Sequence, residues 1–346
     1  MKSCTGVWVV VCLAMGLLSG CGSKDQPGPV DTGFFAKGAD VGWLTEMEAS
    51  GIKFRNSAGV EQDCMQILKD KGINSIRVRA WVNPADGWNN TADVVAKAKR
   101  AQALGLKLMV DFHYADSWAD PGKQPKPAAW ASMNFNDMKT ALYNYTKGVM
   151  DTLKLNKITP DWVQIGNETN DGMLWEDGRA SKSMANFALL VRAGYDAVKA
   201  VSPASKVIVH LSNGYDNQMF RWMFDGLREQ GVIWDIIGMS LYPSYAPAGV
   251  SGWKTVNDQC LANMNDMLTR YGTPVMVVEV GFPVNDPVTA KAFLADIIAK
   301  TRSVSGGNGQ GVFYWEPECH NHWKGYELGA FDDTGKPTAA MDAFLE

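Results

Sequence analysis

The sequence predicts a single (β/α)8 TIM barrel of the α/β class, and three observations predict it. Eight short apolar runs recur along the chain, helical patterns lie between them, and glycines close the helical stretches. The runs cover 34–41, 74–82, 106–114, 161–168, 206–213, 235–243, 274–281 and 311–318. Their cores are nearly continuous and rich in Val and Ile, as strands covered on both faces require.

Each intervening stretch carries its own reason to be helical. Over 59–72, Met65 and Leu68 fall on one side, and Gly72 suits the left-handed position after a helix. The stretch 91–105 repeats this pattern, with Thr91 as the expected N-cap and Gly105 at its end. Longer helices are expected over 135–155, 181–201, 254–271 and 288–302, and a weaker one over 216–230. A doubly wound sheet is the alternative. Its dinucleotide-binding form asks for a glycine-rich turn after an early strand, and none occurs.

One domain, 34–346, is expected, because no Pro/Gly/Ser linker or block of charge interrupts it. Ahead of it, one Lys precedes an apolar stretch from Val7 to Leu18 that is too short to span a membrane comfortably. It reads as an export signal over 1–20. Leu18-Ser19-Gly20-Cys21 resembles a bacterial lipobox, which implies cleavage before Cys21 and a lipid on that residue. Residues 21–33 then form the attachment site and a flexible tether. The expected location is that of an exported, membrane-anchored lipoprotein, at the cell surface or in the periplasm, with the membrane engaged through the lipid. A net charge of −4 and the lack of a basic stripe argue against nucleic acid as a partner. A monomer is expected. Cys64, Cys260 and Cys319 are too widely spaced for a dense disulfide framework and read as three buried or half-buried thiols, with one bridge between two of them as the alternative. The 13 tryptophans exceed ordinary usage, and serve either the core or a platform for a flat apolar ligand face.

In such a barrel, chemistry gathers at the C-terminal ends of the strands. Read in order, those ends carry Asp40 and Trp43; Arg77, Arg79 and Trp81; Asp111, His113 and Tyr114; Asn167 and Glu168; His210 and Asn213; Tyr242; Glu279; and Trp315 with Glu316. Packing does not ask for charged and imidazole groups after so many apolar runs. A lone glutamate after a strand says little. Two of them, one beside Asn167, suit glycoside hydrolysis, in which one carboxylic acid protonates the leaving oxygen and the other attacks as an anion. Their mutual repulsion helps to split their pKa values. The two arginines are expected to face opposite sides, so that one alone, Arg79 at the strand end, keeps Glu279 ionised.

Longer stretches carry a specific likeness. "KGADVGWLTEME" (37–48), "ILKDKGINSIRVRAWVNP" (67–84), "DFHYADSWADPGKQPKPAAW" (111–130), "WVQIGNETNDGMLW" (162–175) and "YWEPE" (314–318) resemble glycoside hydrolase family 53, the arabinogalactan endo-β-1,4-galactanases. The resemblance implies a retaining endo-enzyme on galactan, the side chain of type I arabinogalactan in pectin. It implies Glu168 as acid/base and Glu279 as nucleophile, with Arg79, His113, Asn167, His210 and Tyr242 lining the site and Trp315 as its apolar floor. Asp40, Trp81, Asp116 and Trp118 complete the expected substrate-binding set, Trp118 for stacking and Asp116 and Asp120 for sugar hydroxyls or for fixing their loop. It also implies a cis peptide at Trp315–Glu316. No cofactor is required. Some bacterial relatives hold calcium in a longer seventh loop, which the short "VGFPVNDPVTA" does not support. Cys319, His320 and His322 read as loop or sugar-contacting residues, not as zinc ligands. The rivals are a related barrel acting on mannan or xylan, and a sugar-binding lipoprotein without turnover.

Overall fold

In the computed structural model, residues 1–3 and 33–346 are described; the lipobox, Cys21 and the tether as far as 32 lie outside them. Eight parallel strands close a barrel in sequence order. They are β1 (Ala36–Asp40), β2 (Ser75–Ala80), β3 (Lys107–Phe112), β4 (Trp162–Ile165), β5 (Lys206–Leu211), β6 (Ile236–Leu241), β7 (Val275–Val280) and β8 (Gly309–Tyr314). The first seven predicted runs each hold one strand, and the eighth overlaps β8. The last is displaced towards its N-terminus, because the chain turns through a φ of +48° at Glu316, where the run was expected to continue.

The helices are α1 (Leu44–Ala49), α2 (Cys64–Asp70), α3 (Thr91–Ala103), α4 (Phe135–Leu155), α5 (Met184–Val201), α6 (Asn217–Glu229), α7 (Trp253–Tyr271) and α8 (Pro287–Ser303). The short α1 inside the first connection was not expected. The α6 segment, expected to be weak, is regular and buries Phe220, Met223, Phe224 and Leu227. The cap of α3 is Asn90, whose side chain accepts from the Asp93 N–H; Thr91 is the first residue inside the helix. Gly72 and Gly105 both take positive φ, as the residue after a helix often must. The thiols of Cys64, Cys260 and Cys319 are free and buried, as expected.

Two apolar layers follow from strand alternation. Outward residues pack under the helices in one large core. Inward residues Ala36, Met109, Trp162, Ile208, Ile236, Met276, Val278 and Phe313 fill the bottom of the barrel as a separate cluster. Above that plug the inward positions turn polar: Asp40, Arg77, Asp111, Gln164, His210 and Ser240 are all fully buried. A β-bulge then decides where one glutamate points. Between β6 and β7, Met239 pairs with Val277 and the next residue, Ser240, with Glu279. Val278 is therefore the extra residue, and beyond it Glu279 faces the mouth of the barrel, where strict alternation would turn it outward with Val275 and Val277.

Candidate active site

Glu168 and Glu279 line one cavity of about 650 Å³ above the polar layer, with His113, Trp118, Asn167, Tyr242 and Trp315. Glu168 reaches it through a tight turn after β4: Gly166 takes φ of +78° and Glu168 itself φ of +45°. Gly281 also keeps the wall thin. A Cβ there would lie 2.7 Å from the Tyr242 ring and 2.9 Å from the Tyr326 hydroxyl, which also borders the cavity.

Arg77 is the electrostatic centre. One terminal nitrogen lies 2.8 Å from Glu279 Oε1 and 2.7 Å from Asp40 Oδ2. The other donates to Asp111 Oδ2 at 2.8 Å and to Asn167 Oδ1 at 3.1 Å. Burial works against this charge, and Asp111, Glu279 and Asp40 outweigh it, so the guanidinium is held above its usual range. Tyr242 donates its hydroxyl to Glu279 Oε2 at 3.1 Å.

The expectation that Arg79 serves Glu279 is overturned. Residues two apart on a strand share a face. Arg77 and Arg79 therefore both point inward, and the lower of the two reaches Glu279. Arg79 pairs instead with Glu316, whose second oxygen accepts from the Trp43 N–H at 3.0 Å. Its guanidinium carbon lies 4.4 Å from the centre of the Trp118 ring and 5.1 Å from that of Trp43. A Cβ on Gly42 would stand 2.2 Å from an Arg79 nitrogen, so that position is held open for it. Arg79 therefore supports the aromatic wall from behind. The expected cis peptide at Trp315–Glu316 is also overturned. Among the described residues the cis bond is Trp175–Glu176, and at Glu316 the left-handed turn brings the carboxylate back to Arg79.

The two glutamates differ in what surrounds them. Burial raises Glu168 above the ordinary carboxylate range, and the negative charge of Glu279 raises it further. Burial raises Glu279 too, and Asp111 adds to the rise, while Arg77 and the Tyr242 hydroxyl offset part of it. Of the two, Glu279 has the cation in contact with it, so its surroundings favour the charged form more than those of Glu168 do. Below them, burial pushes Asp40 up against the pull of Arg77.

The other expected residues divide into those that face the cavity and those behind it. His113, Trp118, Asn167, Tyr242 and Trp315 face it. His113 is fixed from both sides, with Nε2 3.0 Å from Asp111 and Nδ1 accepting from the Ala119 N–H. Asn167 donates to the Ala119 carbonyl at 2.9 Å, which leaves its second amide hydrogen for a ligand. Asp40, Arg79, Trp81 and His210 stand behind the wall. Asp116 accepts from the backbone N–H groups of Asn83 and Ala128, so it joins two loops and does not meet the cavity. Asp120 does line it, while accepting from Gly122 and Lys123.

Cys319 and His320 are buried, and His322 turns outward to Glu327. No group of three or more His, Cys, Asp or Glu among the described residues is arranged to hold a metal ion. Sequence reasoning passed over Gln164, a buried amide that bridges Arg77, Asp111 and His210. Its signal was a polar residue inside the otherwise apolar run Trp162–Ile165. Tyr326 and Lys324, which border the cavity, were also missed; both lie in the segment after β8, which nothing in the apolar pattern marks.

Known proteins resemble this chain in sequence and in fold. A probable arabinogalactan endo-β-1,4-galactanase A of Aspergillus terreus is 37% identical over 304 residues, covering 81% of this chain and 85% of its own. A structure from work on two fungal β-1,4-galactanases superposes with a TM-score of 0.83 at 31% identity, covering 90% of this chain and 99% of the other. The family 53 catalytic domain of Ignisphaera aggregans gives 0.81 at 28% identity, over 90% and 95% of the two chains. The pattern of glycosyl hydrolase family 53 itself matches residues 36–344. The chain belongs to glycosyl hydrolase family 53.

Proposed function

We propose that this enzyme hydrolyses internal β-1,4-galactosidic bonds of galactan with retention of configuration. One observation carries the mechanism. Two glutamates share a cavity, and a buried arginine sits 2.8 Å from Glu279 while Glu168 has no such cation beside it among the described residues. The named activities of the fungal relatives support the substrate.

Glu279, held ionised by Arg77 and oriented by Tyr242, attacks the anomeric carbon. Glu168, holding the proton, gives it to the departing glycosidic oxygen. In the second half Glu168 takes a proton from water, which displaces Glu279 from the sugar. The free amide hydrogen of Asn167 suits the sugar 2-hydroxyl, a contact that strengthens at the transition state. The Trp315 and Trp118 rings supply apolar surface for the CH-bearing faces of the sugars.

The test is digestion of purified linear β-1,4-galactan. Viscosity should fall well ahead of the release of reducing ends, because an endo-enzyme cuts inside the polymer. Galactan left intact while mannan or xylan is cut would contradict the substrate.

A further inference from the structure

The catalytic cavity has two unlike sides. On one, Trp43, Trp118 and Trp315 pack edge to face, with ring centres 5.1 to 5.9 Å apart. On the other, the loops after β5 and β6 contribute Ser212, Asn213 and Tyr245, none of which the chemistry above uses. Tyr245 borders the cavity and is 69% exposed, so its ring is a bare apolar surface at the rim. It is also held still. It closes a short 3-10 helix, Pro243–Tyr245, and its ring centre lies 5.7 Å from that of Tyr242. Its carbonyl accepts from the Tyr215 hydroxyl at 3.3 Å. Ser212 Oγ accepts from the Asn170 amide at 2.6 Å, which leaves the serine hydrogen to donate. The Asn213 side chain has no hydrogen-bond partner among the described residues. Beyond Tyr245 the surface opens again. A second cavity of about 360 Å³ is lined by Tyr215, Asp216, Pro247, Ala248 and Gln259, and the Tyr215–Tyr245 hydrogen bond stands between the two hollows.

We propose that Tyr245, with Ser212 and Asn213, forms the subsite for the sugar on the leaving side of the cut bond, and that the second cavity receives the units beyond it. The proposal rests on the galactan reading above and names the part of the site that grips the released end of the chain. Position assigns the side. The sugar attacked by Glu279 lies on the Trp315 floor, so the sugar released with a proton from Glu168 lies away from the tryptophans. Counting round the barrel from Glu168 at the end of β4, the next two loops are those of β5 and β6. The chemistry fits galactose. Its axial 4-hydroxyl leaves the opposite face of the ring an unbroken patch of C–H groups, and an aromatic ring covers such a patch well. The Ser212 hydrogen and the Asn213 amide suit hydroxyls at the edge of the same sugar. Contacts so far from the broken bond let a long substrate spend binding energy on the chemistry.

The test is the pattern of cuts in a β-1,4-linked galactohexaose labelled at its reducing end, digested by wild type, Tyr245→Ala, Tyr245→Phe and Gln259→Trp. The label stays on the leaving side, so the length of the labelled product counts the units held there. Losing the ring should shift the cuts towards the labelled end. Labelled products of two or more units, relative to labelled monosaccharide, should fall about tenfold in Tyr245→Ala. Tyr245→Phe keeps the ring and should keep the wild-type pattern. Gln259→Trp fills the second cavity and should deplete the longest labelled products. A uniform fall in rate with an unmoved pattern in Tyr245→Ala would overturn the proposal and leave Tyr245 as a loop residue. An unmoved pattern in Gln259→Trp would overturn the part given to the second cavity. A wild type that cuts mannohexaose or xylohexaose and not the galactohexaose would count against the proposed substrate instead, and the same comparison on that hexaose would still decide the role of Tyr245.

Discussion

Arg77 touches Glu279 and favours its charged form. It is fully buried between Asp40, Asp111 and Glu279, so its guanidinium offsets three carboxyl groups at once. Removing one partner of a buried ion pair leaves the others uncompensated, at about 3–5 kcal/mol. Arg77→Met should accordingly lower stability by that order in urea unfolding. A subtler change separates the two arginines. Because Arg77 favours the ionised form of Glu279, Arg77→Lys should move the acidic limb of kcat/KM to higher pH. Arg79→Lys should leave that limb in place, since its carboxylate partner is Glu316 behind the tryptophan wall. The reverse pattern in the two pH profiles would contradict this assignment. At this scale the sequence exposed the residue types but not their pairing. Glu168 and Glu279 stood out because a carboxylate after an apolar run has no packing reason. Which arginine meets Glu279 depends on depth in the barrel, and alternation places Arg77 and Arg79 on the same face.

The elements explain how ordinary strands aim such residues. In β7 the outward residues Val275, Val277 and Val280 join the core under the helices, while Met276 and Val278 plug the barrel. Glu279 follows the outward period and yet faces inward, because the bulge at Val278 inserts one residue. The β7–β8 register agrees: the three steps on β7 from Val277 to Val280 match two steps on β8, from Val312 to Tyr314. A bulge leaves no mark in hydrophobic periodicity, so the orientation of Glu279 was not readable from the pattern. The strands themselves were readable, since Val- and Ile-rich runs between helical stretches are what a helix-covered parallel barrel requires. Helix ends were less so. Asn90 accepts from the Asp93 N–H and caps α3. Asn90→Ala should therefore cost about 1 kcal/mol. Thr91→Ala, one residue inside the helix, should cost much less. Urea midpoints of the two variants check this, and a larger loss at Thr91 would return the cap to that residue.

Inside the barrel, charged and polar side chains are confined to one end. An apolar plug fills the bottom, a layer of Asp40, Arg77, Asp111, Gln164 and His210 lies above it, and the two glutamates sit at the rim. This layering gives the glutamates a buried, hydrogen-bonded base and sets one cation in contact with Glu279. The central claim is that Glu279 attacks and Glu168 manages the proton. Turnover of an aryl β-galactobioside by Glu168→Ala, with and without azide, tests it most directly. A good leaving group needs little protonation, so the variant should form the glycosyl intermediate in a burst and then stall. Azide needs no general base, and should release the stalled sugar as the β-configured galactobiosyl azide. Rescue in Glu279→Ala to the α-azide is the expected companion result. A β-azide from Glu279→Ala, with no rescue of Glu168→Ala, would contradict the assignment.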